Sequence, residues 1–96
     1  MAEPTFYLEL ATPDALMYQG DVTALVVPAA EGYLGVLAGH APLCAALTTG
    51  KLRFDPVGAQ SRWFAVTGGV LDVDRDHATI LADAAEPVEG DNAEQA

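Results

Sequence analysis

In Thr5–Ala11 the apolar Phe6, Leu8 and Leu10 alternate with Tyr7 and Glu9, and in Lys51–Asp55 Leu52 and Phe54 alternate with Lys51, Arg53 and Asp55. A period of two sends successive side chains to opposite faces of an extended chain, so each run reads as a half-buried strand rather than a helix. Similar short runs cover Leu16–Gln19, Val22–Val27, Tyr33–Leu37, Leu43–Leu47, Arg62–Thr67, Val70–Asp74 and Ala78–Ala82. Turn formers bound them at Pro13-Asp14, Gly20-Asp21, Gly68-Gly69 and Asp74-Arg75-Asp76. Strand signals at this spacing predict an all-β fold, a flattened two-sheet sandwich or barrel of about nine to ten short strands.

Local chemistry adds two expectations. Asp55-Pro56-Val57-Gly58 has the residue order of a type I turn, with Asp first, φ-locked Pro second and Gly fourth, and should form a hairpin tip. Val22–Val27 is apolar on both faces, which suits a central strand covered on both sides or one whose outer face meets a partner.

Ninety-six residues make one domain, and 51% hydrophobic residues supply the dense core that so short a chain needs. Fourteen acids against four bases leave a formal charge of -10. That balance excludes tracking a phosphate backbone, which takes clustered cations, and disfavours anionic lipid. Five acids (Asp83, Glu86, Glu89, Asp91, Glu94) fall after Ala82 with no base among them. With Val88 the one large apolar residue there and Pro87 and Gly90 as breakers, the segment cannot bury enough surface to order itself. The expected division is therefore a sandwich over residues 1–86 and a flexible acidic tail over 87–96. The single cysteine, Cys44, excludes an internal disulfide and suits a reducing compartment. The uncharged run from Gly32 to Gly50 has the length of a membrane span, but its glycines, His40 and Pro42 argue against one.

No residue pattern in the sequence carries catalytic chemistry. His40, Cys44 and His77 lack the spacing of a metal site, so no metal and no cofactor are expected. Cys44, between Leu43 and Ala45, reads as a small core residue. Asp72, Asp74 and Asp76 recur around a turn without the remaining ligands of a calcium loop and read as a solvated edge. Gly68-Gly69 precedes a strand rather than a helix, so it offers an anion no helix N-terminus and reads as a bulge or sharp corner. Lys51, the only lysine, invites comparison with the attachment lysine of biotinyl or lipoyl carrier domains, although its context Gly50-Lys51-Leu52 lacks their flanking residues. This carrier module is the alternative reading.

The stretch EGYLGVLAGHAPLCAALTTG, from Glu31 to Gly50, carries four glycines, a histidine and a proline but no full charge after Glu31. Its chemistry is that of shape and contact, which favours docking over turnover. The run Glu31 to Leu43, followed by Ala46-Leu47 and Gly50, closely resembles the EGELGVLPGHAPLL…L…G signature of the epsilon subunits of F-type ATP synthases. Thr67-Gly68-Gly69-Val70-Leu71-Asp72-Val73 is similar to that family's SGGFLEV, and Ala78 to Glu86 to its VTVLADTAE. The resemblance covers residues 5 to 86 in order. It implies a β-sandwich of about ten strands, in agreement with the pattern reading. It also implies a non-catalytic rotor subunit of the central stalk, which docks the gamma subunit onto the c-ring and couples ion translocation to ATP synthesis. The implied location is peripheral, on the cytoplasmic face of a bacterial inner membrane, with the rest of F1 reached indirectly and with neither nucleic acid nor membrane insertion involved.

By the same resemblance Glu31, Tyr33, His40 and Pro42 are candidates for contact with the polar loops of the c-ring, and Gly32, Gly35, Gly39, Gly68 and Gly69 are structural corner residues. Exposed positions on Val22–Val27 and near Thr67–Leu71 are candidates for the gamma face. Family members commonly add a C-terminal helical hairpin that inhibits ATP hydrolysis. This sequence stops at Ala96, before such helices, so the expectation is assembly and coupling without that inhibition. Within the corner, Tyr33 stands where the family often has Glu, and Ala38 where it usually has Pro.

Overall fold

Glycines separate three pairs of the apolar runs, and at each the strand continues. The computed structural model describes residues 4–89 and forms β1 (Phe6–Ala11), β2 (Leu16–Ala29), β3 (Gly32–Leu37), β4 (Leu43–Pro56), β5 (Arg62–Asp74), β6 (His77–Ala82) and β7 (Ala85–Val88). β2, β4 and β5 each fuse two of the runs read from the sequence, across Gly20, Gly50 and Gly68-Gly69 respectively.

Pairing runs in a ring, β1-β6-β5-β4-β2, closed by antiparallel pairing of β1 with β2; only β1 and β6 are parallel. β3 adds to β2 and β7 adds to β5 as free edges. Because β2, β4 and β5 bend, the ring flattens into two layers of five strand segments. One holds β3, the second halves of β2 and β4, the first half of β5, and β7. The other holds the first half of β2, β1, β6, the second half of β5 and the first half of β4. The expected nine to ten short strands are thus ten segments of seven strands, since a corner glycine looks like a strand end in sequence.

Gly69 is the tightest of these corners. A Cβ there would stand 2.3 Å from the Leu81 carbonyl oxygen and 2.7 Å from the Ala82 Cα, and the residue holds φ +144°. Only glycine fits such a backbone approach. The ladder continues across the bend through Asp83 N–H donating to Gly68 O at 2.9 Å and Thr67 N–H donating to Ala84 O at 3.3 Å.

Between the layers lies an apolar core that contains, among the described residues, no buried polar or charged side chain. Phe54 and Phe64 stack at its centre with ring centroids 5.9 Å apart, and Leu8, Leu10, Leu25, Leu52, Leu71 and Ile80 are fully buried around them. Each such side chain contributes about 1.5–3 kcal/mol by leaving water, which penalises a one-residue slip of any strand. β2 handles an odd spacing locally: Val22 and Leu25 both face inward because a register shift between Val22 and Ala24 absorbs one residue.

Two local expectations change. The β4–β5 turn lies one residue further on than Asp55–Gly58, with Ala59 N–H donating to Pro56 O at 3.3 Å and Gly58 third at φ +74°. Pro56 stays in the strand, opposite Val22. The second change concerns the tail: its first residues, Pro87 and Val88, belong to β7, opposite Phe64 and Trp63. Pro87 has the sequence character of a breaker, but an edge strand has a side on which a missing N–H does no harm. Glu89 follows β7, exposed, and residues 90–96 of the expected tail lie outside the described residues.

Candidate docking surface

Ala30 and Glu31 form the tip of the β2–β3 hairpin, and Gly32 leaves it at φ +125°. Glu31 is exposed there. Alternation along β3 then buries Val36 and turns Tyr33, Gly35 and Leu37 outward. Tyr33 is 68% and Leu37 63% exposed, unusual values for large side chains on a strand. Tyr33 lies opposite Pro28 and close to Gly50, where a Cβ would come within 3.5 Å of the Tyr33 hydroxyl. Gly35, expected as a corner residue, sits mid-strand instead, with no atom within 4 Å of where a Cβ would stand and no need for an unusual φ.

His40 and Pro42 occupy the other end of β3, about 20 Å from the tip for a six-residue strand. The real corner there is Gly39, at φ +82°. His40 N–H closes the turn on Leu37 O at 3.1 Å, and its Nδ1 is 2.7 Å from Ala41 O, which makes Nδ1 the protonated, donating nitrogen. His40 therefore spends its ring on its own loop, while Pro42 is exposed just before β4. Ala38 packs against the core. The four candidates do not form one cluster: Glu31 and Tyr33 share a shallow depression with Ala29, Cys44 and Ala46, and neither His40 nor Pro42 lines it.

The outer face of the β1-containing layer continues from this depression. Ala30 N–H donates to Ala46 O at 3.2 Å, and Ala46 pairs with Val70, Val70 with Leu81, Leu81 with Ala11, and Ala11 with Leu16. These five residues, Ala46 to Leu16, form one row across five strands. Leu81, Leu16 and Val70 are 54%, 53% and 46% exposed. The inward rows on this layer are wholly apolar, as a core requires, but the neighbouring outward row is polar: Cys44, Asp72, Thr79, Glu9 and Gln19. Three large apolar side chains exposed in one row beside a polar row make this face a candidate contact surface.

Sequence reasoning reaches this row only at Val70, within the expected Thr67–Leu71 candidates. Val22–Val27, the other expected gamma-facing stretch, has Val22, Leu25 and Val27 buried and the residues between them half-buried. It is a central strand between β3 and β4. The signal for Leu16 and Leu81 is present as an apolar residue at an outward phase, but nothing local joins residues 65 positions apart.

Other polar groups serve local ends. Cys44 is exposed, not a core residue, because Leu43, Ala45 and Leu47 take the inward phase of β4. Lys51 lies mid-strand, half-buried and opposite Ala65, rather than at the hairpin tip a carrier lysine would occupy. His77 pairs with Glu9 at 3.1 Å beside the Tyr7 ring. Asp72 and Asp74 face outward on β5, and Asp76 O accepts from Tyr7 N–H at 2.8 Å where β1 meets β6.

The sequence matches, over residues 5–88, the family described as ATP synthase, Delta/Epsilon chain, beta-sandwich domain. Among curated proteins it is 49% identical over 85 residues to the ATP synthase epsilon chain of Solibacter usitatus, covering 88% of this chain and 63% of that one. It is 42% identical over 92 residues to that of Bacillus subtilis, covering 96% and 69%. A chain of the Euglena gracilis mitochondrial ATP synthase (OSCP/F1/c-ring) superposes with a TM-score of 0.83 at 28% identity, over 98% of this chain and 61% of that one. A chain of the Tetrahymena thermophila central stalk/c-ring assembly shares the fold, with a TM-score of 0.73 at 16% identity over 90% and 69%. The chain spans 63% of the length of the Solibacter relative.

Proposed function

The chain belongs to the family of ATP synthase delta/epsilon chain β-sandwich domains, and from that premise we propose that it is an epsilon-type, non-catalytic subunit of the central stalk. It docks a gamma-type subunit onto the c-ring and turns with them, so that ion translocation is coupled to ATP synthesis. The observation that carries this reading is the exposed surface running from Tyr33 through Ala46, Val70 and Leu81 to Leu16, which gathers most of the exposed large apolar side chains among the described residues. A part that transmits torque needs two contacts and a stiff body between them. The closed ring and dense core supply the stiffness.

The hairpin tip, with exposed Glu31 and Tyr33, is the contact for the polar loops of the c-ring. Tyr33 makes that contact partly aromatic where the family often has a carboxylate. His40 and Pro42 belong to this contact only if the ring reaches along the whole of β3, and the His40 hydrogen bond to its own loop gives it a shaping role first. The apolar row is the face for gamma. The subunit sits peripherally on the cytoplasmic face of a bacterial inner membrane, held by protein contacts, because a net charge of -10 is repelled by anionic lipid. The described residues contain no helix, and the role assigned to them is coupling rather than inhibition of ATP hydrolysis by a helical hairpin.

The test is assembly. Coexpressed with the gamma-type subunit of its own synthase, the chain copurifies in equal amount and binds it in titration calorimetry. Absence of binding at micromolar concentrations of both proteins overturns the proposal.

A further inference from the structure

We propose that the row Ala46–Val70–Leu81–Ala11–Leu16 receives an amphipathic helix whose apolar stripe is flanked on both sides by lysine or arginine. The inference rests on the rotor reading and adds the chemistry of the partner element. Its first support is shape. Strands about 4.8 Å apart put about 19 Å between Ala46 and Leu16, and outward rows lie about 7 Å to either side. The apolar surface is therefore a ridge one side chain wide. A second sheet would need several such rows, whereas a helix lying along the ridge presents one apolar side chain per turn, about every 5.4 Å, close to the strand spacing. About thirteen residues, or three to four turns, span the row. Backbone pairing is open only at the two ends of the row, on the outer segments of β2 and β4, since β1, β6 and the second half of β5 between them have neighbours on both sides.

Charge gives the second support. Along one flank stand Asp72 and Glu9, the latter 3.1 Å from His77 Nε2, and along the other Asp83, exposed two residues beyond Leu81 and hydrogen-bonded through its N–H to Gly68. The one lysine and three arginines all lie elsewhere: Lys51 and Arg53 on the second half of β4, Arg62 at the start of β5 over the Tyr18 and Phe64 rings, and Arg75 at the β5–β6 turn. An acidic margin on both sides of an apolar ridge repels a helix with acidic flanks and attracts one with basic flanks.

The probe is the gamma-type subunit of the same synthase. With a benzophenone amino acid at Leu81, irradiation of the complex should give crosslinks that map to a gamma helix with Lys or Arg beside its apolar face. Crosslinks confined to strands, or to an acidic helix, overturn the inference. The double variant Val70→Glu, Leu81→Glu alters two exposed side chains, so it should keep the wild-type unfolding midpoint and bind gamma at least about tenfold more weakly. Asp72→Asn with Asp83→Asn should bind severalfold more weakly at low salt and lose most of the salt dependence of binding. If wild type binds gamma and the Val70→Glu, Leu81→Glu variant binds equally well, the ridge is not the dock and the rotor reading survives. If wild type itself fails to bind, the rotor reading falls with it. Concentration-dependent self-association that the double variant abolishes would assign the ridge to a second copy and also overturn the proposal.

Discussion

At Gly69 a side chain would drive its Cβ to 2.3 Å from the Leu81 carbonyl oxygen, whereas at Gly35, on the outer face of β3, it would meet nothing within 4 Å. One glycine stands where β5 changes neighbours from β7 to β6, and the other on an edge strand open to solvent. The first is required by the fold. The second is not, and what it leaves bare is the space between exposed Tyr33 and Leu37. Glycine in this chain thus does two jobs, turning strands between layers and thinning a surface, and the two respond oppositely to substitution.

Gly69→Ala attacks the first job directly and should have the largest effect. Backbone atoms of Leu81 and Ala82 block the new methyl, and they cannot rotate away as a side chain would. Loss of at least about 3 kcal/mol is expected, a large share of the roughly 5–15 kcal/mol typical of a domain. Urea denaturation checks it. A loss under about 1 kcal/mol would mean that the β5–β6 ladder yields easily and that the corner is not the constraint it looks.

Gly50→Ala comes next, and here the obstacle is space rather than backbone conformation. The new Cβ would lie 2.9 Å from Pro28 Cβ and 3.2 Å from Pro28 Cγ, both in a rigid ring on a buried residue. Overpacking of this kind costs about 1–3 kcal/mol. Since Tyr33 lies over the same spot, the variant should also disturb the Tyr33 ring, visible as a change in its fluorescence quenching or NMR shifts.

These corners explain how far the sequence can be read. Its period-two runs locate all six longer strands, because alternation is local and the core is apolar. The strand count departs from the sequence reading where Gly20, Gly50 and Gly68-Gly69 fall inside a strand that continues, since a strand interior and a strand end can carry the same residue. β7 stays hidden because four residues with a proline carry too little pattern to stand out. Cys44 faces out rather than in, and small apolar neighbours on both sides hide the phase of Leu43–Leu47 that would have shown it. The surface is least legible. Ala46, Val70, Leu81, Ala11 and Leu16 come from five strands, and only the register that folding sets makes them neighbours.

Gly39→Val probes the second corner of the β3–β4 connection and should act more mildly than either change above. The site is open, with no atom within 4 Å of a Cβ, but φ +82° is hard for a β-branched residue. A loss of about 1–2 kcal/mol is expected, with the His40 turn onto Leu37 loosened. Wild-type stability together with normal ATP-driven proton pumping in the assembled enzyme would show that this turn tolerates another path.

Gly35→Ala should be the smallest in stability and is the sharpest test of the contrast. The position has an ordinary backbone and free space, so the methyl restricts the unfolded chain more than it strains the folded one. A gain of up to about 1 kcal/mol, or no change, is expected by urea denaturation. If the bare strip between Tyr33 and Leu37 is used by a partner, the same methyl stands in the contact, and binding to the c-ring should weaken while stability does not. A loss of stability greater than about 1 kcal/mol would place Gly35 with Gly69 among the residues the fold requires. Unchanged stability with unchanged ring binding would confine the contact to Glu31 and Tyr33 at the tip.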